Sequence, residues 1–387
     1  MTSNQDPSFD NQDLSTSSQS SPSNNSAPSS QSSPSNNSAK SQSQGLSNWI
    51  LGGGLAALIV ALATLIAAVA QIDQQTRFSQ WMRSWVTHTN NLPIVEKPPD
   101  LKKIFPYPSS DNPDVLQSDG SNSMVEMMRD IQQEIKTPES LNISLSFGAK
   151  NLKPQGSQKG IELLKAKRIH LAAFSGIIPN DIAVISEGKL PEDIEQKALI
   201  AIPIAKDAIA VLVNKNNPVK SLTKVQLKQI YTCKVTNWGF VGGKENAGIK
   251  VVNRHSSSGT RESFKSLVLP NEDFCPGIKP HEKNGSSFET WNEDETTEVL
   301  RNLGANGIYY ASTSQVRYKE VKALAIGERE PTATNIFEDR YPLERNLYLV
   351  TRKDASNDVI RVIDFVISPR GQEILGRNHF PIYKNEN

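Results

Sequence analysis

The hydrophobic and polar positions divide this chain into three parts. Residues 1–45 are almost without apolar side chains, residues 49–70 are apolar or small and carry no charge, and from about residue 114 apolar positions recur at the spacings of strands and helices. A segment without apolar residues cannot bury enough surface to offset the entropy of ordering. The pattern therefore predicts a disordered tail rich in Ser, Asn, Gln and Pro, then a membrane-spanning segment, then an α/β globular part.

Residues 46–70 are predicted to anchor the chain in a membrane, with the span itself at 49–70. The 22 residues of this span carry no charge, and at about 1.5 Å each they cross a bilayer core of about 30 Å. Ala68-Val69-Ala70 also fits a signal-peptidase site, so cleavage is the alternative. An uncleaved anchor is favoured because the apolar run is long and Lys40 is the only basic residue before it.

After the span, residues 71–113 are predicted to form a stalk that six prolines keep extended in its later part. The globular part follows, with apolar runs that predict strands and apolar residues three and four apart that predict helices. The predicted strands are 141–147, 169–174, 198–205, 207–213, 307–310 and 347–350, and the predicted helices are 124–135, 161–166, 223–231 and 358–367, with a short last helix from 369. The runs 198–205 and 207–213 suit two strands that cross between two lobes.

The stretch 251–264 has the pattern of an anion site. A β-branched pair leads through Arg254, three serines, Gly259 and Thr260 into a helical pattern. The first turn of a helix offers unpaired backbone N–H groups and a partial positive charge, and an arginine can hold two oxygens at once. The alternative is an N-capped surface helix with an incidental arginine.

Composition and motif content exclude several classes of function. The net charge of +1 offers nucleic acid no basic surface. The five histidines are scattered and show no metal-ligand pair at helical spacing. The hydrolase elbow Gly-x-Ser-x-Gly is absent, because Ser256 and Thr260 stand at its glycine positions. We therefore predict a protein that binds without catalysis and without a metal or cofactor.

Cys233 and Cys275 are the only cysteines. They are either both free or joined in one disulfide, and a structural disulfide persists in an oxidising compartment. The pairing of these two residues therefore bears on where the domain resides.

Four motifs in the globular part resemble one protein family in the same order along the chain. They are LTKVQLKQIYTCKVTNW at 222–238, VVNRHSSSGTRESF at 251–264, YPLERNLYLV at 341–350 and DFVISPRGQEIL at 364–375. Together they resemble the phosphate-binding substrate-binding proteins of bacterial ABC transporters, which have the type II periplasmic binding protein fold. The resemblance implies an α/β domain over 114–387, with a first lobe of about 114–205 and 321–387, a second lobe of about 206–320, and a cleft between them.

The resemblance also implies which residues bind the ligand. Matching each family loop position by position gives hydroxyls, backbone N–H groups and one arginine. The implied set is Ser121, Ser123, the backbone N–H of Met124, Ser157, Ser175, Arg254, Ser258, Gly259 and Thr260. Arg254 is expected to be the only positive charge in this set.

Two positions depart from the family pattern. Ser175 stands where the family has an aspartate that accepts a hydrogen from bound phosphate, and Ser256 stands where a second aspartate orients the arginine. A fixed carboxylate repels sulfate, which has no proton to donate at neutral pH, whereas a hydroxyl both donates and accepts. Oxyanion binding is therefore expected, while selectivity for phosphate over sulfate or arsenate is left open.

The function implied by the resemblance is extracytoplasmic binding of inorganic phosphate, or a similar tetrahedral oxyanion, and its delivery to an ABC-type permease. The tail before residue 46 is then cytoplasmic and the binding domain lies on the periplasmic side of a single-pass anchor. Charge counts around the span point weakly the other way, with Lys40 before it and Arg77 and Arg83 after it. The alternatives are a membrane-tethered oxyanion sensor or scaffold not coupled to transport, and a fold that has lost its ligand. An oxidising location would also favour a bridge between Cys233 and Cys275.

Overall fold

A computed structural model of the protein describes residues 97–148, 153–185, 189–277, 285–291, 296–316 and 318–383. The predicted tail, the predicted anchor and the first part of the predicted stalk lie outside the described residues. Within the described ranges, no helix combines the length and the apolar character needed to cross a bilayer.

The described residues form a mixed α/β structure. Its strands are β1 (Leu116–Gly120), β2 (Leu145–Phe147), β3 (Leu171–Phe174), β4 (Ile182–Val184), β5 (Leu199–Asn214), β6 (Ser221–Leu222), β7 (Lys250–Asn253), β8 (Ser287–Thr290), β9 (Gly307–Ser312), β10 (Val321–Ile326), β11 (Glu344–Arg352) and β12 (Phe380–Pro381). Its α-helices are α1 (Leu101–Ile104), α2 (Val125–Ile135), α3 (Ser157–Lys165), α4 (Lys224–Tyr231), α5 (Gly259–Val268), α6 (Thr296–Asn302), α7 (Ala333–Phe337), α8 (Asn357–Ile367) and α9 (Pro369–Leu375). Short 3₁₀ turns lie at Asn122–Met124, Ile194–Gln196, Trp238–Val241 and Thr313–Gln315.

The long strand β5 organises the sheet, whose order is β2-β1-β3-β11-β5-β9-β7-β8. Near its start β5 pairs with β4 and with the end of β11, and near its end it pairs with β9 and β10. Two strands were predicted here, at 198–205 and 207–213, but the structure has one strand of 16 residues. The polar pair Lys206-Asp207 interrupts the apolar pattern without interrupting the strand.

Two large hydrophobic cores take residues from the first and second halves of β5. The first contains Ile200, Ile202 and Ile204 from β5, and the second contains Ile209, Val211 and Val213 from the same strand. We call the residues around the first core the first lobe and those around the second core the second lobe. Because successive parts of one strand enter both cores, β5 is one of the structural links between the lobes.

The lobe boundary after the second lobe differs from the sequence-based assignment. Residues 321–343 were assigned to the first lobe, but Leu324, Ile336 and Leu343 are buried in the second core. The antiparallel pairing of β10 with β5 holds this segment there. The chain therefore returns to the first lobe along β11, from about residue 344.

Part of the predicted stalk is packed against the domain. Leu101, Ile104 and Phe105 are buried in the first core, and Ser109 forms a β-bridge with Ser356. The prolines around α1 were interpreted as signs of an extended linker, but the three apolar side chains between them gain burial by folding back onto the first lobe. The packed domain therefore begins before residue 114.

The helix predicted at 223–231 forms, and it begins at the N-cap that the sequence predicts. Thr223 caps α4 by accepting from the backbone N–H of Gln226, and Gln226 accepts in return from the backbone N–H of Thr223, which is a capping box. Just after α4, Cys233 is joined to Cys275 by a disulfide. The bridge ties the end of α4 to the segment after α5, within the second lobe.

Removing this disulfide should destabilise the domain. The two cysteines are 42 residues apart, and closing a loop of that length is worth about 4 kcal/mol in the chain-entropy model. We expect a Cys233→Ala/Cys275→Ala variant to unfold at lower denaturant concentration than the oxidised wild type. Equal unfolding midpoints would contradict this expectation, and a reductant should shift the wild type but not the double variant.

Candidate functional site

The loop between β7 and α5 buries an arginine at a helix N-terminus. Ser258 is the N-cap of α5 and its Oγ accepts from the backbone N–H of Arg261 at 3.4 Å. The Arg254 side chain reaches the same hydroxyl, donating from Nε at 2.7 Å. Arg254 is only 1% exposed. The strand, turn and helix that the sequence predicted around 251–264 are therefore confirmed.

Two further hydroxyls orient Arg254. Its Nη1 donates to Thr296 Oγ1 at 2.7 Å and to the Tyr309 hydroxyl at 2.9 Å, and its guanidinium lies 5.7 Å from the centre of the Tyr309 ring. A hydroxyl acceptor holds a guanidinium in place without neutralising its charge. Thr296 and Tyr309 were not predicted as site residues. They orient Arg254 in this chain, in which Ser256 stands at the position of the aspartate that orients the family's arginine.

Three serines from different loops of the first lobe meet at one point. Ser175, directly after β3, lies with its Oγ 2.7 Å from Ser121 Oγ and 3.3 Å from Ser157 Oγ. Its backbone N–H donates to Ser157 Oγ at 3.1 Å. All three serines are buried. The structure thus brings together hydroxyls that lie 18 to 54 residues apart in the chain.

The first of these loops is a tight turn at the end of β1. Ser121 Oγ accepts from the backbone N–H of Ser123 at 3.2 Å, and the backbone N–H of Met124, predicted as a ligand donor, donates to the Ser121 carbonyl at 3.1 Å. Gly120 has φ +138°, and a Cβ there would lie 2.0 Å from the Ala173 carbonyl oxygen. Only glycine therefore allows the turn to approach β3 this closely.

A buried carboxylate, missed in the sequence, ties two of these loops together. Asp119 Oδ1 accepts from the backbone N–H groups of Gly120 at 2.6 Å and Gln155 at 2.8 Å. Its Oδ2 accepts from the Gln155 side chain at 2.9 Å. Asp119 thereby holds the loop before Ser157 against the loop that carries Ser121.

The β7–α5 loop and the start of α5 lie directly against the serine loops of the first lobe. Thr260 Oγ1 is 2.9 Å from Ser123 Oγ, and Ser263 Oγ donates to the Ser175 carbonyl at 3.0 Å. A Cβ on Gly259 would lie 2.4 Å from Ser157 Oγ. The predicted residues of the two lobes therefore meet in one place.

A second arginine belongs to this place. Arg345 Nη1 donates to Thr260 Oγ1 at 3.0 Å and to the Ser175 carbonyl at 2.9 Å, and Nη2 donates to Ser123 Oγ at 3.2 Å. The expectation that Arg254 is the only positive charge here is therefore wrong. Arg345 lies inside the motif at 341–350, but it is not among the ligand-binding residues that the family resemblance implies.

Arg345 is held by a buried carboxylate on the crossing strand. Asp207 Oδ2 accepts from Arg345 Nε at 3.0 Å and from Nη2 at 2.7 Å. Burial acts to raise the pKa of Asp207, but the positive charge of Arg345 and the contact of His379, 3.7 Å away, hold that pKa well below its usual range. The sequence contains one sign of this ion pair. Asp207 and Arg345 each stand within an apolar strand, and a buried charge requires a partner of opposite sign.

His255 does not form a catalytic pair with Ser258. Its Nδ1 is 2.8 Å from Ser257 Oγ, whereas Ser258 Oγ accepts from Arg254 Nε and from the backbone N–H of Arg261. A serine whose oxygen accepts from a guanidinium is not activated as a nucleophile by a neighbouring base. The arrangement instead suits an anion with several acceptor oxygens.

Comparisons with known proteins show which family the chain belongs to. A family model described as a PBP superfamily domain matches residues 108–370. The phosphate-binding protein PstS of Borreliella burgdorferi is 31% identical over 207 residues, which cover 51% of this chain and 71% of that protein. The PstS of Bacillus subtilis is 30% identical over 179 residues, covering 46% of this chain but only 55% of the relative.

Solved structures give the same result. A phosphate ABC transporter substrate-binding protein from Clostridium perfringens, solved with bound phosphate, matches with a TM-score of 0.55 and 29% identity. The match covers 70% of this chain and 100% of that chain. An ABC-type phosphate transport receptor from Vibrio cholerae has a TM-score of 0.52 and 26% identity, with 69% and 99% covered.

Proposed function

The chain belongs to the PBP superfamily, and we propose that it binds inorganic phosphate, or a similar tetrahedral oxyanion, between its two lobes. The observation that carries this proposal is the buried guanidinium of Arg254 beside the N-cap of α5. The first residue of that helix, Gly259, lies against Ser157, which belongs to the buried cluster of Ser121, Ser157 and Ser175. A buried cation with neighbouring O–H and N–H donors matches an anion that has acceptor oxygens on all sides. The relatives described above are named for phosphate binding, which supports the choice of ligand.

Binding is proposed to close the two lobes over the anion. Ser123 and Ser175 belong to the first lobe, whereas Arg254 and Thr260 belong to the second, so each lobe alone offers only part of the donor set. A ligand that contacts both lobes favours the closed arrangement by its differential contacts. β5 and the start of β11 connect the two cores, so a closure of the lobes is expected to bend the chain at these two strands.

Gly259→Ala should impede this closure without unfolding the protein. A Cβ there meets Ser157 Oγ at 2.4 Å and the Gly176 nitrogen at 2.8 Å, both in the first lobe. We expect anion binding to weaken by roughly 1–3 kcal/mol, the usual range for overpacking, while the helix itself tolerates alanine. Calorimetric titration and thermal unfolding separate the two effects.

Gly304→Ala is the matched control for this substitution, because a Cβ at Gly304 would meet nothing within 4 Å. It should bind the anion as the wild type does. Wild-type affinity in Gly259→Ala would show that the lobes do not approach each other in the bound state.

Delivery to an ABC-type permease from the extracytoplasmic side is the proposed physiological role. The relatives include proteins of phosphate ABC transporters, and the disulfide between Cys233 and Cys275 suits an oxidising compartment. We propose that residues 46–70 anchor the chain, with the tail inside and the domain outside. Protease added to spheroplasts should digest the domain, and trimming of the tail alone would show the reverse topology.

A membrane-tethered sensor or scaffold is the second candidate, because an anchored domain supports either role. The two are separated by purifying the full-length protein from its native membrane with a mild detergent. Stable association with a permease supports transport, whereas a signalling partner in its place supports sensing. Neither role involves turnover, and phosphate esters should stay intact when incubated with the protein.

Calorimetric titration of the purified full-length protein with phosphate, sulfate and arsenate tests the proposed binding. Saturable binding of at least one of these anions with one site per chain is expected. Absence of binding for all three would contradict the proposed function.

A further inference from the structure

Arg345 contacts one hydroxyl from each lobe of the proposed site. It donates to Ser123 Oγ at 3.2 Å in the first lobe and to Thr260 Oγ1 at 3.0 Å in the second. These two hydroxyl oxygens are 2.9 Å from each other. One guanidinium thus spans the line along which the two lobes meet.

Arg345 is fixed in this position from the opposite side. Asp207, which is 0% exposed, accepts from its Nε and Nη2, and the Arg345 side chain itself is 5% exposed. Asp207 Oδ1 in turn accepts from Ser312 Oγ at 2.8 Å and Thr313 Oγ1 at 3.0 Å. A guanidinium held by a buried carboxylate, itself anchored by two hydroxyls, keeps one orientation.

Because Arg345 keeps this orientation, the hydroxyl oxygens of Ser123 and Thr260 both act as acceptors toward it. An arginine has only N–H donors, so Ser123 Oγ and Thr260 Oγ1 must accept at their contacts with Arg345. Each hydroxyl keeps its own O–H, and one of the two O–H groups is donated across the 2.9 Å contact between them until a ligand accepts it. When an anion takes both O–H groups, Arg345 stays behind them and its positive charge strengthens both hydrogen bonds.

We propose that Arg345 is a positioning residue that determines the selectivity of the site, by presenting Ser123 and Thr260 to the ligand as donors. This inference rests on the proposed oxyanion binding and extends it to the preferred class of anion. An oxygen without a proton accepts from such hydroxyls, whereas an oxygen that carries a proton must find an acceptor elsewhere. The site therefore favours anions that present unprotonated oxygens to Ser123 and Thr260. Sulfate does so in every orientation, whereas phosphate does so only when its protonated oxygen faces another part of the site.

The test compares sulfate and phosphate binding to full-length wild type and Arg345→Gln by calorimetric titration. We expect the wild type to bind both anions. In Arg345→Gln each hydroxyl oxygen loses its guanidinium donor and gains a lone pair, so the two hydroxyls accept more readily from a protonated phosphate oxygen, whereas sulfate has no proton to donate to them. The sulfate-to-phosphate affinity ratio should therefore fall by about tenfold or more, the size of one charge-assisted hydrogen bond.

Two further variants keep this test decisive. Asp207→Asn/Arg345→Gln removes both charges of the pair. It replaces Arg345→Gln in the titration if the single substitution leaves the Asp207 charge without its arginine and unfolds the domain. The same fall in the sulfate-to-phosphate affinity ratio is expected. Arg352→Gln is the matched control, because Arg352 lies at the other end of β11 and contacts Asp354 and the Ile169 carbonyl. It should keep the wild-type ratio.

The outcomes distinguish this inference from the proposed function. If the wild type binds neither anion, the proposed function fails and the inference fails with it. If the wild type binds but the folded Arg345 variants keep its sulfate-to-phosphate ratio, the inference alone is overturned. An equal loss of both anions in those variants overturns it as well, because a merely structural role of Arg345 predicts that result.

Discussion

Arg254→Ala is expected to remove most of the anion affinity of this protein. The side chain is 1% exposed and fixed by the hydroxyls of Ser258, Thr296 and Tyr309, so its charge reaches the ligand without rearrangement. Removing one member of a desolvated charge pair costs about 2–5 kcal/mol, which is roughly 30-fold or more in affinity. Titration with phosphate and sulfate would measure this loss.

Arg261→Ala is the control for this prediction, since it removes a charge of the same sign from the same loop and helix. The Arg261 guanidinium lies 4.8 Å from the centre of the Phe274 ring, where it packs on an aromatic face. Arg261→Ala should therefore bind the anion nearly as tightly as the wild type. An Arg254→Ala variant that binds normally would show that the site lies elsewhere, and equal losses in both variants would indicate a general effect of net charge.

Asp207→Ala is expected to be strongly destabilising. Asp207 is 0% exposed and its partner Arg345 only 5%, so the substitution leaves a buried cation without its carboxylate. Breaking a buried ion pair in this way typically costs about 3–5 kcal/mol. The effect is to be measured as the change in the free energy of unfolding by denaturant titration.

The pH range of this contribution follows from the pKa of Asp207. Arg345 and His379 hold that pKa below the usual value of an aspartate, even though burial opposes them. Stability from a depressed carboxyl pKa is present above the unfolded-state pKa and is lost as the pH falls through the folded-state pKa. The difference between the wild type and Asp207→Ala should therefore be constant at neutral and mildly acidic pH.

Asp354→Ala is the matched comparison, because Asp354 forms an ion pair with Arg352, which lies on β11 as Arg345 does. Its side chain is 61% exposed and that of Arg352 is 20% exposed, and exposed pairs of this kind contribute about 0–1 kcal/mol. Similar losses in the two variants would contradict the special role of the buried pair.

Local pattern was sufficient to predict much of this protein. The capping box at Thr223 and Gln226 depends on residues three apart, and the serine cap of α5 follows from the turn that precedes it. Such elements form from near neighbours in the chain, so their residues reveal them. The chain's membership of the PBP superfamily and the residues assigned to the anion loop likewise follow from short motifs.

The segments that the sequence placed wrongly were decided by long-range packing. Leu101 and Phe105 fold back onto the first core, although the prolines near them are typical of a linker. Leu324 and Leu343 pack in the second core because β10 pairs with β5, more than a hundred residues earlier in the chain. Neither outcome depends on the local sequence of the segment concerned.

The candidate site shows the same division. The hydroxyls, Arg254 and Gly259 could be assigned from motifs, because each motif carries its own backbone geometry. The role of Arg345 could not, because it depends on Asp207, 138 residues away, and on hydroxyls from both lobes. The helices at 223–231 and 358–367 and the anion loop could be predicted because neighbouring residues encode them. Which buried charges meet could be learned from the fold alone, since a charged side chain in an apolar strand is stable only where the fold supplies its partner.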